Sequence, residues 1–285
     1  MTDSIEVVGN APVTKTPDII TALVVDADIV AYRCSATCQE SDIDTLHNTL
    51  DGFINNMMIR TGIRTLMMCI SDSTNFRYQI AKTKPYKGNR VGVERPKYLI
   101  PAKEYIVDNY NGFSIDNMEA DDVIASAITK FPYSAHAGVD KDIRQVVGWH
   151  YNFVKLHWEY TSPEESKLML NRQVCMGDSQ DNIPGLPRIG KVKAAKAVTD
   201  PDTAHLQALE LYLDVMFDHI ELLDHFSGSE DEKIAQYFVE QTALVSMMCD
   251  LDIQDKYFKT YSPDLLVTPQ EGDFDGFDET EVDYK

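Results

Sequence analysis

Three short apolar runs along the chain each lead to an acid. "TALVVDAD" is continuous through Val25 and ends at Asp26, "RTLMMCISD" reaches Asp72, and the weaker "SAHAGVD" reaches Asp140. Unbroken runs of this length predict strands buried on both faces. Between them the apolar spacing becomes helical. In "ADDVIASAITKF", Val123, Ile124, Ala127, Ile128 and Phe131 fall on one helical face. Strands alternating with helices predict an α/β fold, a mostly parallel central sheet flanked by helices on both faces. After about residue 160 the strand pattern fades into helices joined by short turns. The chain therefore divides into a loose arm (1–18, with Pro12 and Pro17), an α/β core (19–160), a helical region (161–262) and an acidic tail (263–285).

Sites in an open α/β sheet form beyond the carboxyl ends of the strands. Asp26, Asp72 and Asp140 would meet at that edge. "NMEADDVIA" adds Glu119, Asp121 and Asp122 at a helix start, more acids than the helix dipole needs. "VDKD" adds Asp142, and "GDSQD" adds Asp178 and Asp181, three residues apart and so neighbours if helical. Two carboxylates about 5 Å apart repel by roughly 3 kcal/mol at an effective dielectric of 20. Converging acids therefore need cations. Oxygen-only ligands select hard ions, Mg²⁺ or Mn²⁺, and a pair of such ions suits in-line displacement at phosphorus.

Composition narrows the choice. Apolar residues make up 44% of the 285, enough for a sizeable core. No apolar run has membrane-span length and the N-terminus lacks a signal pattern, so a cytoplasmic protein without membrane contact is expected. The five cysteines are odd in number and lie mostly in apolar runs, as reduced core thiols do. The formal net charge of −20 hides two basic patches. Lys82 to Lys103 contains seven bases and one acid, and Arg188 to Lys196 contains four bases and no acid. Such patches hold a polyanion locally whatever the total charge. No G-x-S-x-G, H-E-x-x-H or G-x-G-x-x-G motif occurs, and the seven histidines show no ligand spacing. "GLPRIGKV" approaches a P-loop but lacks its hydroxyl and follows no strand.

"VVDAD", "YKGNR", "EADD", "VDKD" and "GDSQDNIPGLPRIG" occur in an order that resembles the 5′-nuclease (flap endonuclease) superfamily, most nearly the short 5′–3′ exonucleases of tailed bacteriophages. The resemblance covers roughly residues 23–198. It implies a metal-binding nuclease core of this fold and a helical region with a helix-hairpin DNA-binding turn. It also implies a two-metal 5′–3′ exonuclease with structure-specific endonuclease activity on duplex DNA, with removal of RNA primers as one role. Asp26, Asp72, Glu119, Asp121 and Asp122 would surround one metal, and Asp140, Asp142, Asp178 and Asp181 the second. Lys87 and Arg90 would sit over the scissile phosphate, and Tyr32 would stack on the terminal base pair. Lys82, Lys84, Arg188, Lys191 and Lys193 would contact DNA, with Gly185 and Gly190 letting backbone approach phosphates and the turn holding potassium. The implied partners are duplex DNA with 5′ ends, nicks or flaps, RNA–DNA hybrid, and a basic or replication protein at the acidic tail. Two alternatives remain open at this point: a non-catalytic branched-DNA binding protein, and a PIN-type ribonuclease.

Overall fold

A computed structural model of the chain describes residues 13–262. Residues 1–12 of the expected arm and the whole acidic tail lie outside them. The rest of the arm is anchored: Val13 pairs with the backbone of Trp158, and the Thr16 hydroxyl donates to the Thr61 carbonyl at 2.8 Å.

The sheet has six strands in the order β5-β4-β3-β1-β2-β6. Its centre, β1 (Ala22–Asp26), β2 (Thr65–Cys69), β3 (Ser134–Gly138) and β4 (Gly148–Asn152), is parallel. Antiparallel strands close both edges: β5 (His157–Thr161) on β4 and the two-residue β6 (Lys259–Thr260) on β2. Every residue of β1 and β3 is buried, including the polar Ser134 and His136 of the weaker β3 run.

Helices cover both faces. Leu23, Val25, Leu66 and Met68 pack with α1 (Ala27–Thr37), α2 (Ile43–Thr61) and α4 (Leu99–Tyr110). Val24, Met67 and Cys69 point the other way, onto α5 (Ala120–Lys130), whose Val123, Ile124, Ala127 and Ile128 are all buried. Four cysteines are buried and all five are free.

A second core joins α6 (Pro163–Met176), α7 (Lys191–Ala197), α8 (Ala204–Phe217) and α9 (Glu230–Val245). Its limits differ from the expected 161–262. After α9 the chain returns to the sheet: Met247, Leu251, Ile253, Tyr257 and Phe258 pack on the α5 face and lead into β6. In the other direction, Ile80 at the end of the one-turn α3 (Arg77–Ile80), with Ala81 and Tyr86 after it, packs into the helical core. The two lobes thus exchange segments, and the basic stretch after residue 80 is held between them.

Candidate active site

Asp26 closes β1 and caps α1, its carboxylate accepting the Ile29 N–H at 3.1 Å. It is 4% exposed, and burial, with Asp28 and then Asp140 nearby, pushes its carboxyl up to about 7. Asp121 lies in the first turn of α5, where burial and then Asp26 and Asp140 drive it well above the carboxylate range. Asp142 opens a one-turn 3₁₀ helix just after β3, and burial, Asp140 and Asp178 raise it to about 7. Asp26, Asp121, Asp140, Asp142 and Asp178 therefore form one mutually repelling group at the sheet edge. Neighbouring positive charge relieves such a group, and an all-oxygen donor set suits a hard divalent cation.

Glu119 and Asp181 form a second pair, already occupied by bases. Lys87 Nζ contacts Glu119 Oε1 and lies 3.9 Å from Asp181, and Arg90 reaches Asp181 at 2.6 Å. Burial lifts the Glu119 carboxyl, but Lys87 and Arg77 outweigh it and hold the group low. At Asp181 burial wins over Lys87 and Arg90, and the carboxyl is raised. The Tyr86 hydroxyl sits between them, 2.7 Å from Glu119 and 2.8 Å from Asp181. One phenolic proton cannot serve both acids at once.

The loop bearing these bases is locked to the loop bearing Asp181. The Lys87 N–H donates to the Asp181 carbonyl at 2.9 Å, with Lys87 itself at φ +52°. Asn89 donates to the Ser179 carbonyl and Asn182 to that of Pro85, each at 2.8 Å. Among the described residues, no three His, Cys, Asp or Glu side chains converge closely enough to hold a metal ion as they stand. The all-oxygen donor set is of the kind that suits a hard divalent ion, and Lys87 and Arg90 engage two of its acids, Glu119 and Asp181.

Several expectations need correction. Asp178 and Asp181 do not share a helix. They lie on a turn closed by a two-way bridge between Asp178 and Ile183, so Asp178 faces Asp142 while Asp181 faces Tyr86. Asp122, expected as a metal ligand, is fully buried against Arg77 in a two-pronged pair at 2.7 and 2.8 Å and also accepts the Met248 N–H. Asp72 lies three residues beyond β2 and accepts from Ser73, Thr74 and the Asn117 N–H, bonds that hold its carboxyl down to about 2.

Gly185 serves packing rather than phosphate approach. It is buried at φ +58°, its N–H donates to Gln241 at 3.0 Å and its carbonyl accepts from Tyr237 at 2.5 Å. Gly190, by contrast, is exposed with open space around it and precedes α7, where Lys191 and Lys193 are exposed. Arg188, Lys82 and Lys84 are exposed, and Tyr32 is half-buried against the first core.

Sequence reasoning missed four residues: Tyr86, Arg77, Asp28 and Glu240. Tyr86 begins "YKGNR" and was legible there as a polar aromatic beside two bases. Asp28, which pairs with Lys103 at 2.7 Å, was legible in "VVDAD". Glu240, 6% exposed, accepts the backbone N–H groups of Lys82 and Thr83 and the Thr83 hydroxyl, anchoring the basic segment. Neither it nor Arg77 carries a local signal.

No family model matches the chain. It is 27% identical over 200 residues to a 5′-3′ exonuclease of Buchnera aphidicola subsp. Schizaphis graminum, covering 63% of this chain and 69% of that protein. A 5′-3′ exonuclease of Bacillus subtilis is 26% identical over 179 residues, 55% of this chain and 60% of its own length. DNA polymerase I of Bacillus subtilis matches at 24% over 263 residues, and the chain spans only 28% of it. Among solved structures, the bacteriophage T5 D15 flap endonuclease in a complex with DNA and metal ions superposes with a TM-score of 0.57 at 16% identity, over 80% of this chain and 89% of that one. The catalytic core of Rad2 with a DNA substrate gives 0.55 at 15%, over 89% and 86%. These structural likenesses establish the fold.

Proposed function

We infer that the chain is a member of the 5′-nuclease superfamily, a reading its likeness to 5′-3′ exonucleases supports, and that it hydrolyses phosphodiester bonds at 5′ ends, nicks and flaps of duplex DNA. The observation that carries this reading is the buried acidic group at the sheet edge, with Asp26 and Asp142 lifted to about 7, beside a second pair of acids, Glu119 and Asp181, that Lys87 and Arg90 engage. Acids so arranged cost stability unless cations bind them.

Asp26, Glu119, Asp121, Asp140, Asp142, Asp178 and Asp181 are the residues that would hold Mg²⁺ or Mn²⁺; Asp72 is bonded to its own loop. Divalent ions bound there supply Lewis-acid stabilisation of charge on the phosphoryl oxygens. The chain's own residues do the rest. Lys87 and Arg90, reaching in from one loop, exchange Glu119 and Asp181 for the phosphate, stabilising charge that grows in the transition state. Tyr86 keeps Glu119 and Asp181 in register as the bases leave. Arg77, braced on Asp122 and on the carbonyls of Leu244 and Ser246, holds the start of α5 against the helical lobe.

The exposed bases Arg188, Lys191 and Lys193, with Gly190, form the surface that grips the duplex backbone, and Tyr32, half-buried on α1, would stack on the terminal base pair. Potassium at this turn and RNA–DNA hybrid as a substrate belong to the same reading. The test is digestion of a 5′-labelled nicked or flapped duplex. Cleavage should require Mg²⁺ or Mn²⁺, and full cleavage in excess chelator would refute the reading.

A further inference from the structure

Helix α9 holds two parts of the fold that the proposed reaction would use together. Tyr237, Glu240 and Gln241 stand at i, i+3 and i+4 and so share one face of it. All three are buried. Two of them hold the hairpin turn: Tyr237 donates to the Gly185 carbonyl at 2.5 Å, and Gln241 accepts the Gly185 N–H at 3.0 Å. The third holds the start of the basic segment. Glu240 Oε1 accepts the N–H groups of Lys82 and Thr83, and its Oε2 accepts the Thr83 hydroxyl. One turn further along, the Leu244 carbonyl accepts from Arg77 at 2.9 Å, so α9 holds residues 77–83 at both ends.

These bonds fix main chain rather than the ends of flexible side chains. Burying a carboxylate is costly unless its oxygens are satisfied, and bonds to an ionised acceptor are roughly twice as strong as neutral ones. Thr83, pinned in this way, lies four residues before Lys87. The other side of that short stretch is pinned by the turn carrying Asp181. Asn182 donates to the Pro85 carbonyl at 2.8 Å and the Lys87 N–H to the Asp181 carbonyl at 2.9 Å, while Tyr86 packs into the helical core. Adjacent residues of α9 thus support the loop of Lys87 and Arg90 and the turn that leads to Gly190, Lys191 and Lys193.

We propose that Glu240 is a positioning residue: it fixes Lys87 and Arg90 relative to the hairpin turn and so sets which phosphodiester bond is cut, as well as the rate. The proposal rests on the nuclease reading. If the turn grips the duplex, the bond that Lys87 and Arg90 reach is decided by the distance between turn and loop, and α9 spans that distance. Without Glu240 the loop keeps its anchor at Asp181 but loses the one on α9. The bases then meet neighbouring phosphates, and a misplacement of about 1 Å can cost roughly 10²-fold in rate. Glu240 itself is buried and does not meet DNA, so affinity should hold.

The experiment is single-turnover cleavage of a 5′-labelled flapped duplex in Mg²⁺, read for rate and product length, with dissociation constants measured in chelator. Glu240→Ala should cut at least about tenfold more slowly at saturating DNA and release products of several lengths, with affinity within about twofold. Glu240→Gln should keep the wild-type product lengths. Its amide oxygen can accept both N–H groups and its amide N–H can donate to Thr83, whose hydroxyl can turn to His225 Nε2 at 3.1 Å. Because Glu240 acts through Lys87, adding Glu240→Ala to Lys87→Ala should slow cleavage little further. Thr83→Val removes only the hydroxyl bond, and should broaden the product lengths even where Glu240→Ala does not fold. A wild type that does not cut would refute the nuclease reading, and this proposal with it. A wild type that cuts, beside a Glu240→Ala or, where that does not fold, a Thr83→Val that gives wild-type product lengths, would overturn this proposal alone and leave Glu240 a structural anchor.

Discussion

Arg77 and Asp122 form a two-pronged ion pair at 2.7 and 2.8 Å in which both side chains are almost wholly buried. The neighbouring Asp121 has no such partner and is driven well above the carboxylate range by burial, Asp26 and Asp140. Adjacent acids at one helix start therefore carry opposite energetic signs. Asp122→Asn should destabilise the protein by about 3 kcal/mol or more, since it strands a buried guanidinium. Asp121→Asn should raise the melting temperature in chelator while abolishing cleavage. Thermal denaturation of both variants in chelator checks the contrast, and a loss of stability in Asp121→Asn would contradict the repelling group.

How much of this was legible beforehand follows from range. Asp26 and Asp140 could be read because a buried strand and the acid that ends it are neighbours in sequence. Asp121 and Asp122 could not be told apart, because the partner that distinguishes them is 45 residues away in sequence. His136, His150 and His157 had no telling spacing because strand register, not helical periodicity, sets them on neighbouring strands. The return of residues 246–261 to the sheet was equally hidden, since the helical signal before it gives no sign of where the chain goes next.

The pH dependence of stability should be two-sided. Asp26 and Asp142 have folded values raised to about 7, against about 3.9 unfolded. The folded state then binds the extra protons, so stability is gained as pH falls through 7 and lost as it rises. His150 is lowered to about 4 by burial, and burial with His150 nearby lowers His136 as well. Their contribution is present above about 6.5 and is lost as pH falls toward 4. Metal-free protein should therefore be most stable near pH 6. Saturating Mg²⁺ should raise the melting temperature more at pH 8 than at pH 6, because cations replace the protons. Calorimetry with and without chelator checks both limbs, and an equal Mg²⁺ shift at the two pH values would refute the linkage.

Lys87 should oppose metal binding and assist chemistry. Its ammonium contacts Glu119 and lies 3.9 Å from Asp181, so Lys87→Ala leaves those acids freer for cations. The variant should bind Mn²⁺ more tightly in the absence of DNA, yet cut DNA about 10²–10³-fold more slowly in single turnover. Metal titration and quench-flow kinetics measure the two effects separately. A wild-type rate at saturation would reduce Lys87 to a structural counter-ion.

The two glycines of the hairpin turn should respond differently to alanine. Gly177 and Gly185 meet backbone to backbone, and a Cβ on Gly185 would collide with Gly177 and Met176. Its φ of +58° adds backbone strain. Gly185→Ala should therefore lower stability by several kcal/mol even without DNA. Gly190→Ala meets open space and should leave stability within about 1 kcal/mol while weakening DNA binding if backbone approaches phosphate there. Denaturant melts and binding curves of the two variants separate packing from recognition.

Lys191 and Lys193 should act in binding and leave chemistry alone. Both are exposed on the first turn of α7, separated from Asp181 by the interlocked turn that fixes the distance between grip and cut. Each lysine that neutralises a phosphate releases about one counter-ion, so replacing both with alanine should flatten the salt dependence of binding by roughly two units. Affinity should fall alike for all sequences, because phosphate contacts carry no base information. At saturating DNA the cleavage rate should hold, whereas Asp181→Ala should lose it. Dissociation constants for nicked duplex across a salt series provide the measurement. An unchanged slope would mean that these lysines face solvent in the complex, and the grip would then have to come from the basic stretch between Lys82 and Lys103.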